Sequence, residues 1–147
     1  MEAHWNLTDQ QFTHQFANGS LEPSLFTHQA HLRLAWIRLG QLGVAQAAHL
    51  ITKEIKAFAT LHGDPEKYHH TLTIAAIQVV HHFMNKSEAK TFQELIAEYP
   101  VLIQSFKSLI LSHYTPELIF SDYAKQHYST PDLLDFDYPI ENQLNIG

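Results

Sequence analysis

Helix start and stop signals recur along this chain, and they constrain its fold more than any other feature. Thr8 stands before Asp9-Gln10-Gln11 in the form of a capping box, and Asn18-Gly19 ends the short first helix. Comparable signals predict five further helices, over about 27–40, 44–62, 64–84, 91–99 and 101–114. Thr115-Pro116 and Ser121-Asp122 start two short turns of helix after them. No stretch has the strict alternation of apolar and polar residues that a half-buried strand requires. The pattern therefore predicts an all-α protein.

The loops between the second, third and fourth helices are short, which makes these helices antiparallel neighbours. A length of 147 residues fits one domain. We predict a compact single-domain helical bundle of about six helices over residues 1–147, with its core at about 8–128. From about 130 to 147 the chain is acidic and contains two prolines, which predicts an extended tail that packs along the bundle.

Composition excludes several classes of function. The chain has no cysteine, so disulfides, thiolate nucleophiles and cysteine-bound metals are ruled out. Its net charge of −6 argues against a nucleic-acid partner. The start of the chain does not resemble a secretion signal, and its most apolar stretch is too short to cross a membrane. We therefore expect a cytoplasmic protein that does not bind membranes.

Histidine is the compositional outlier, at 12 of 147 residues. On the second helix, His28 and His31 fall on the apolar arc that faces the core, while Arg33 and Arg38 fall outside it. On the fourth helix, His69 lies in the apolar arc. Residues at i and i+3 are neighbours on a helix surface, and a packed helix 8–10 Å away can bring a third side chain to the same spot. His28, His31 and His69 are therefore predicted to converge.

Three neutral imidazoles with one open position are typical of catalytic zinc, and imidazole also suits iron, nickel and copper. We therefore predict that His28, His31 and His69 bind a divalent transition metal. Five residues are candidates for an outer ligand, a hydrogen-bond partner or a pocket wall. They are His70, Glu54, Thr73, Trp36 and Tyr68.

Two functions remain open at this point. In the first, the metal site binds a small-molecule substrate, and an enzyme would use the metal to activate water or to polarise that substrate. In the second, the protein is a non-catalytic helical module for a small ligand or a partner protein, and its histidines are structural. The sequence lacks H-E-x-x-H, Glu-x-x-His pairs and G-x-S-x-G, so it does not favour zinc proteases, di-iron proteins or serine hydrolases.

Three segments resemble a family of small, uncharacterised bacterial all-helical proteins. They are FTHQAHLRLAW at 26–36, YHHTLT at 68–73 and YTPEL at 114–118, and the first two are the most specific. The resemblance covers about residues 26–132 and implies that His28, His31 and His69 occupy the family's histidine positions. The sequence departs at His70, where the pattern carries an acidic residue. The family brings no established activity, so the resemblance implies a fold and a site only.

Overall fold

The computed structural model of the protein describes residues 1–137. These residues form α-helices and short 3-10 turns with no strand among them, which confirms the all-α prediction. The helices are α1 (Asp9–Ala17), α2 (His28–Leu42), α3 (Val44–Leu61), α4 (His70–Lys86), α5 (Phe92–Glu98), α6 (Val101–Gln104), α7 (Phe106–Leu111), α8 (Pro116–Ile119) and α9 (Asp122–Gln126). Within the same residues, no helix has the length and apolarity needed to cross a bilayer.

Hydroxyl side chains begin most of these helices, as the sequence predicts. Thr8 accepts a hydrogen bond from the Gln11 amide, and the Gln11 side chain accepts one from the Thr8 amide, which completes the capping box of α1. The hydroxyl groups of Thr27, Thr91, Thr115 and Ser121 accept in the same way at α2, α5, α8 and α9. Each bond satisfies one of the amides that the first turn of a helix leaves without a partner.

Of the nine α-helices in residues 1–137, α8 and α9 follow Thr115 and Ser121, and the sixth predicted helix is divided into α6 and α7. The fourth and sixth predicted helices differ most from expectation. The fourth does not run from Pro65, because Pro65–Lys67 is a separate 3-10 turn and His69 has extended backbone angles. His69 is instead the N-cap of α4, since its Nδ1 accepts from the Leu72 amide at 3.0 Å. The sixth breaks at Ser105, whose backbone (φ −142°, ψ 37°) is not helical, and this break separates α6 from α7.

Helices α2, α3 and α4 pack against one another and form the centre of the bundle. Gly43 joins α2 directly to α3 with φ 81°, a conformation that favours glycine and permits the abrupt reversal. The side chains between the three helices are fully buried aliphatic groups, among them Leu34, Ile51 and Ile74. The centre of the bundle therefore consists of the three longest helices, and the shorter helices pack around them.

The placement of Arg33 outside the buried surface is wrong. Arg33 is 2% exposed, because the N-terminal segment covers the side of α2 that the apolar arc leaves free. Its guanidinium donates to the carboxylate of Asp9 and to the backbone carbonyls of His4 and Leu7, at 2.8–3.2 Å. It also lies over the ring of Trp5 at 4.6 Å. Arg33 thus joins the N-terminal segment to the bundle as a paired, buried cation.

The described part of the acidic tail, residues 130–137, has no regular secondary structure and packs on the bundle. Phe136 is 8% exposed and stacks on the ring of His113 at 4.1 Å. The Leu133 amide donates to the His113 carbonyl, and the carboxylate of Asp132 accepts from the amide and hydroxyl of Thr115. The remainder of the predicted tail, 138–147, lies outside the described residues.

Candidate functional site: a cavity between the central helices

A cavity of about 900 Å³ lies between α2, α3, α4 and the segment that contains α6, α7 and α8. Its floor consists of buried aliphatic side chains from all of these elements: Leu32, Ala35, Ile51, Ile77, Ile110 and Ile119. Leu72, Thr73 and Ala76 form a partly buried wall on α4. Cavities of roughly 300–1,000 Å³ with apolar walls are the usual binding sites for small molecules.

The rim of the cavity is polar and basic. It includes six exposed residues, namely Lys67, Gln104, Ser105, Lys107, Ser108 and Phe120. Among residues 1–137, the cavity lining contains no Asp or Glu, although the whole chain has 15 acidic and 9 basic residues. The cavity therefore lacks the negative charge that the rest of the protein carries.

All three predicted ligand histidines line this one cavity, so the structure brings His28, His31 and His69 to a common space. Their ring nitrogens differ in what they bind, and these partners fix the tautomer of each ring. A backbone carbonyl only accepts, so a ring nitrogen bonded to one must carry a proton. The available lone pairs can then be assigned nitrogen by nitrogen.

His31 is held by its own helix and by an aromatic neighbour. Its Nδ1–H donates to the Thr27 carbonyl at 2.8 Å, and its ring stacks on Phe26 with centroids 3.7 Å apart. Nε2 keeps its lone pair and has no hydrogen-bond partner among residues 1–137. Burial lowers the pKa of His31 to about 4, and the neighbouring His28 contributes in the same direction. At neutral pH the imidazole is therefore an uncharged acceptor.

His69 differs because both of its nitrogens are already in use. Nε2–H donates to the Ile119 carbonyl at 2.7 Å, and Nδ1 accepts from the Leu72 amide. Burial lowers the pKa of this ring as well. His69 therefore joins the start of α4 to the end of α8 and, in this conformation, has no lone pair left for a ligand.

His28 lies nearer to solvent than the helix-face prediction indicates, since its side chain is exposed at the edge of the cavity. Its Nε2–H donates to the Leu102 carbonyl at 3.1 Å, and its ring lies 4.8 Å from that of Phe106. Nδ1 retains a lone pair. His28 thus connects α2 to the α6–α7 segment and closes one side of the cavity.

These assignments do not fit a three-histidine metal site in the conformation described. Only two of the three rings, His28 and His31, have a free lone pair, and His69 would have to give up a cap and a carbonyl bond to supply a third. No group of three or more His, Asp or Glu side chains within residues 1–137 is arranged to hold a metal ion. The sequence-based prediction of zinc, iron, nickel or copper binding is not tested by this arrangement, and the nitrogen partners of His69 lead us to expect no binding at one ion per chain.

Of the five further candidates, the structure brings two to the cavity. Tyr68 and Thr73 line it, and the Thr73 hydroxyl donates to the His69 carbonyl of its own helix turn. His70 lies behind Tyr68, with its Nδ1 2.5 Å from the phenolic oxygen, and does not line the cavity. Burial, with a smaller contribution from the Lys56 charge, lowers the pKa of His70.

Glu54 and Trp36 lie elsewhere. Glu54 is paired on the α2–α3 interface with Arg38, whose guanidinium donates to both carboxylate oxygens at 2.7 and 3.2 Å. Trp36 packs toward Phe92, on a side of α2 that does not contact the cavity. Both residues are therefore structural, because their polar or aromatic groups already have partners away from the cavity.

The sequence analysis missed the wall that α6, α7 and α8 contribute. Phe106, Lys107 and Phe120 reach the cavity because the chain breaks at Ser105, which re-orients the residues that follow. Ser105 is neither a proline nor a glycine, so the sequence carries no strong signal for this break. In a single helix over 101–114, Phe106 and Lys107 would point in directions other than those they take in α7.

Comparison with models of protein families, with curated proteins and with solved structures finds no match for this chain. The suggested family resemblance therefore rests on its quoted motifs alone and stays a prediction.

Proposed function

We propose that this protein is a binding module for a small organic molecule, whose apolar body occupies the cavity between α2, α4 and the α6–α8 segment. The observation that carries the proposal is the cavity itself, about 900 Å³ with an aliphatic floor. The cavity opens to solvent at its rim, so water contacts its aliphatic side chains when no ligand is bound. An apolar ligand body would remove that surface from water, which is favourable.

His31 supports the proposal by offering one oriented polar contact in mostly apolar surroundings. Its Nε2 lone pair has no partner within residues 1–137, and His31 lines the cavity, where either water or a ligand can donate to this nitrogen. A ligand O–H or N–H group would supply that donor and fix the orientation of the bound molecule. Specific small-molecule sites combine apolar walls and a few placed polar groups in this way.

The low pKa of His31 argues against a role for this imidazole as a general base. A general base is most effective when its pKa lies near the working pH. The pKa of His31 is about 4, so at neutral pH its ring has little tendency to take a proton from a substrate. His69 cannot replace it, because both of its nitrogens are engaged.

A neutral apolar dye, N-phenyl-1-naphthylamine, tests the proposal. Its fluorescence should rise when it binds wild-type protein, with one site per chain. Ala76→Phe places an aromatic ring into the cavity from the α4 wall and should abolish binding. Ala57→Phe makes the same change on an exposed position of α3 away from the cavity and should bind like wild type.

Circular dichroism checks that both variants are folded, because a folded variant retains the helical spectrum of wild type. Equal dye binding by folded Ala76→Phe and by wild type would place the dye elsewhere and contradict the proposal. Absence of dye binding to folded wild type would also contradict it.

A further inference from the structure

The charges around the cavity are opposite in sign to those of the protein. The chain has a net charge of −6, yet the lining has two lysines and, among residues 1–137, no carboxylate. Both lysines, Lys67 and Lys107, lie at the exposed rim rather than on the floor. A ligand would therefore meet aliphatic groups inside and positive charge at the entrance.

Lys107 is the more informative of the two lysines. Within residues 1–137 it forms no ion pair, and its ammonium group lies 5.9 Å above the ring of Phe120. Phe120 is 62% exposed, an unusual position for a phenylalanine, and it also borders the cavity. The aromatic ring therefore holds an ammonium group at the entrance without neutralising it.

Lys67 and the rim hydroxyl groups complete the entrance. Lys67 pairs with Asp64 at 3.0 Å, but this is an i,i+3 pair between exposed side chains, and such pairs contribute little energy. A competing anion can therefore displace the Asp64 carboxylate at little cost. The hydroxyl groups of Ser105 and Ser108 add two donors on the same rim.

We propose, building on the ligand-binding function above, that the ligand is an amphipathic organic anion: a monocarboxylate with an aliphatic or aromatic body. The body lies on the aliphatic floor, and the carboxylate stays at the rim with Lys107 and Lys67. A cation would meet two like charges there, and the Asp64 carboxylate beside them is already paired with Lys67. A neutral molecule would leave the lysines unused.

The charge preference can be measured with three probes that share one alkyl chain: decanoate, decan-1-ol and decylammonium. Each competes at pH 7 with N-phenyl-1-naphthylamine for wild-type protein. Decanoate should displace the dye at roughly one-tenth of the concentration that decan-1-ol needs, as two exposed ion pairs would supply. Decylammonium should be the weakest competitor.

Two double variants of equal net charge locate the effect. In the Lys67→Gln, Lys107→Gln variant, the decanoate concentration needed to displace the dye should rise to the concentration of decan-1-ol that does so. The decan-1-ol concentration needed should be the same as for wild type. Lys53→Gln with Lys90→Gln removes two exposed lysines that do not line the cavity, and it should keep the preference.

The outcomes separate this inference from the function on which it rests. Equal displacement by the three probes, or a preference for decylammonium, would overturn the anionic ligand and leave the binding cavity standing. A decanoate preference that survives in the rim variant would also overturn it. If wild type binds neither the dye nor any alkyl probe, the binding function itself fails.

Discussion

Replacing His31 by asparagine removes a buried titrating group and keeps an N–H donor near the position of Nδ1. In the wild type, burial lowers the pKa of His31 to about 4, whereas an unfolded histidine titrates near 6.5. The unfolded state then binds more protons than the folded state below neutral pH. The free energy of unfolding must fall as the pH drops through about 6.5, and it continues to fall until the folded group titrates near 4.

The size of this effect follows from the two pKa values. Between pH 7 and pH 5 the unfolded imidazole goes from about one-quarter protonated to almost fully protonated, while the folded ring stays about nine-tenths neutral. At about 1.4 kcal/mol per pKa unit, His31 alone costs the wild type about 2 kcal/mol over this interval. The value is an upper limit, because the ring is partly exposed at the cavity.

Urea unfolding followed by far-UV circular dichroism at pH 7 and pH 5 measures the difference. From pH 7 to pH 5, the free energy of unfolding of wild type should fall by about 2 kcal/mol more than that of His31→Asn. The comparison cancels the other histidines whose pKa is lowered by burial, namely His4, His69, His70 and His81, because both proteins contain them. Equal losses in the two proteins would refute a buried, neutral His31.

Three further predictions concern the cap, the tail and the metal. His69→Ala removes both the α4 cap and the bond to the Ile119 carbonyl and should lower the free energy of unfolding by about 2 kcal/mol, of which His69→Asn should recover about 1 kcal/mol through the cap; equal melting temperatures of the two variants would contradict the cap. Phe136→Ala should cost about 3 kcal/mol, whereas Leu134→Ala, at a site 60% exposed, should cost little; similar urea midpoints would contradict packing of the tail. Offered zinc, iron, nickel and copper in turn and then dialysed, wild type should retain none at one ion per chain, as the nitrogen partners of His69 lead us to expect; retention that His28→Ala abolishes would restore the metal site.

Helix starts were predictable because their chemistry is local. A hydroxyl group that accepts from an amide three residues later involves one turn of chain, so Thr8, Thr27, Thr91 and Ser121 could be identified without knowledge of the fold. The same reasoning failed at His69. Its imidazole performs the capping role, and a rule that expects Ser, Thr, Asp or Asn at that position extends the helix too far toward Pro65.

Arg33 was misplaced for a different reason. A helix-face argument assigns charged side chains to solvent, but it assumes that only one side of the helix is covered. α2 is covered on two sides, and the second cover is the N-terminal segment, which lies more than 20 residues away in sequence. The burial of Arg33 depends on carbonyl and carboxylate partners whose arrangement is a property of the whole fold.

The cavity was beyond sequence reasoning because an empty volume depends on what faces each side chain. The i,i+3 spacing placed His28 and His31 on one face of α2, and that part of the site could be predicted. Ala35 and Ala76 also line the cavity. In the helical pattern of apolar residues, however, an alanine predicts a packed position in the core just as a leucine does. Small side chains leave a space only where the residues opposite do not fill it. Those residues belong to α6–α8, whose orientation depends on the break at Ser105, so the histidine face was predictable and the space in front of it was not.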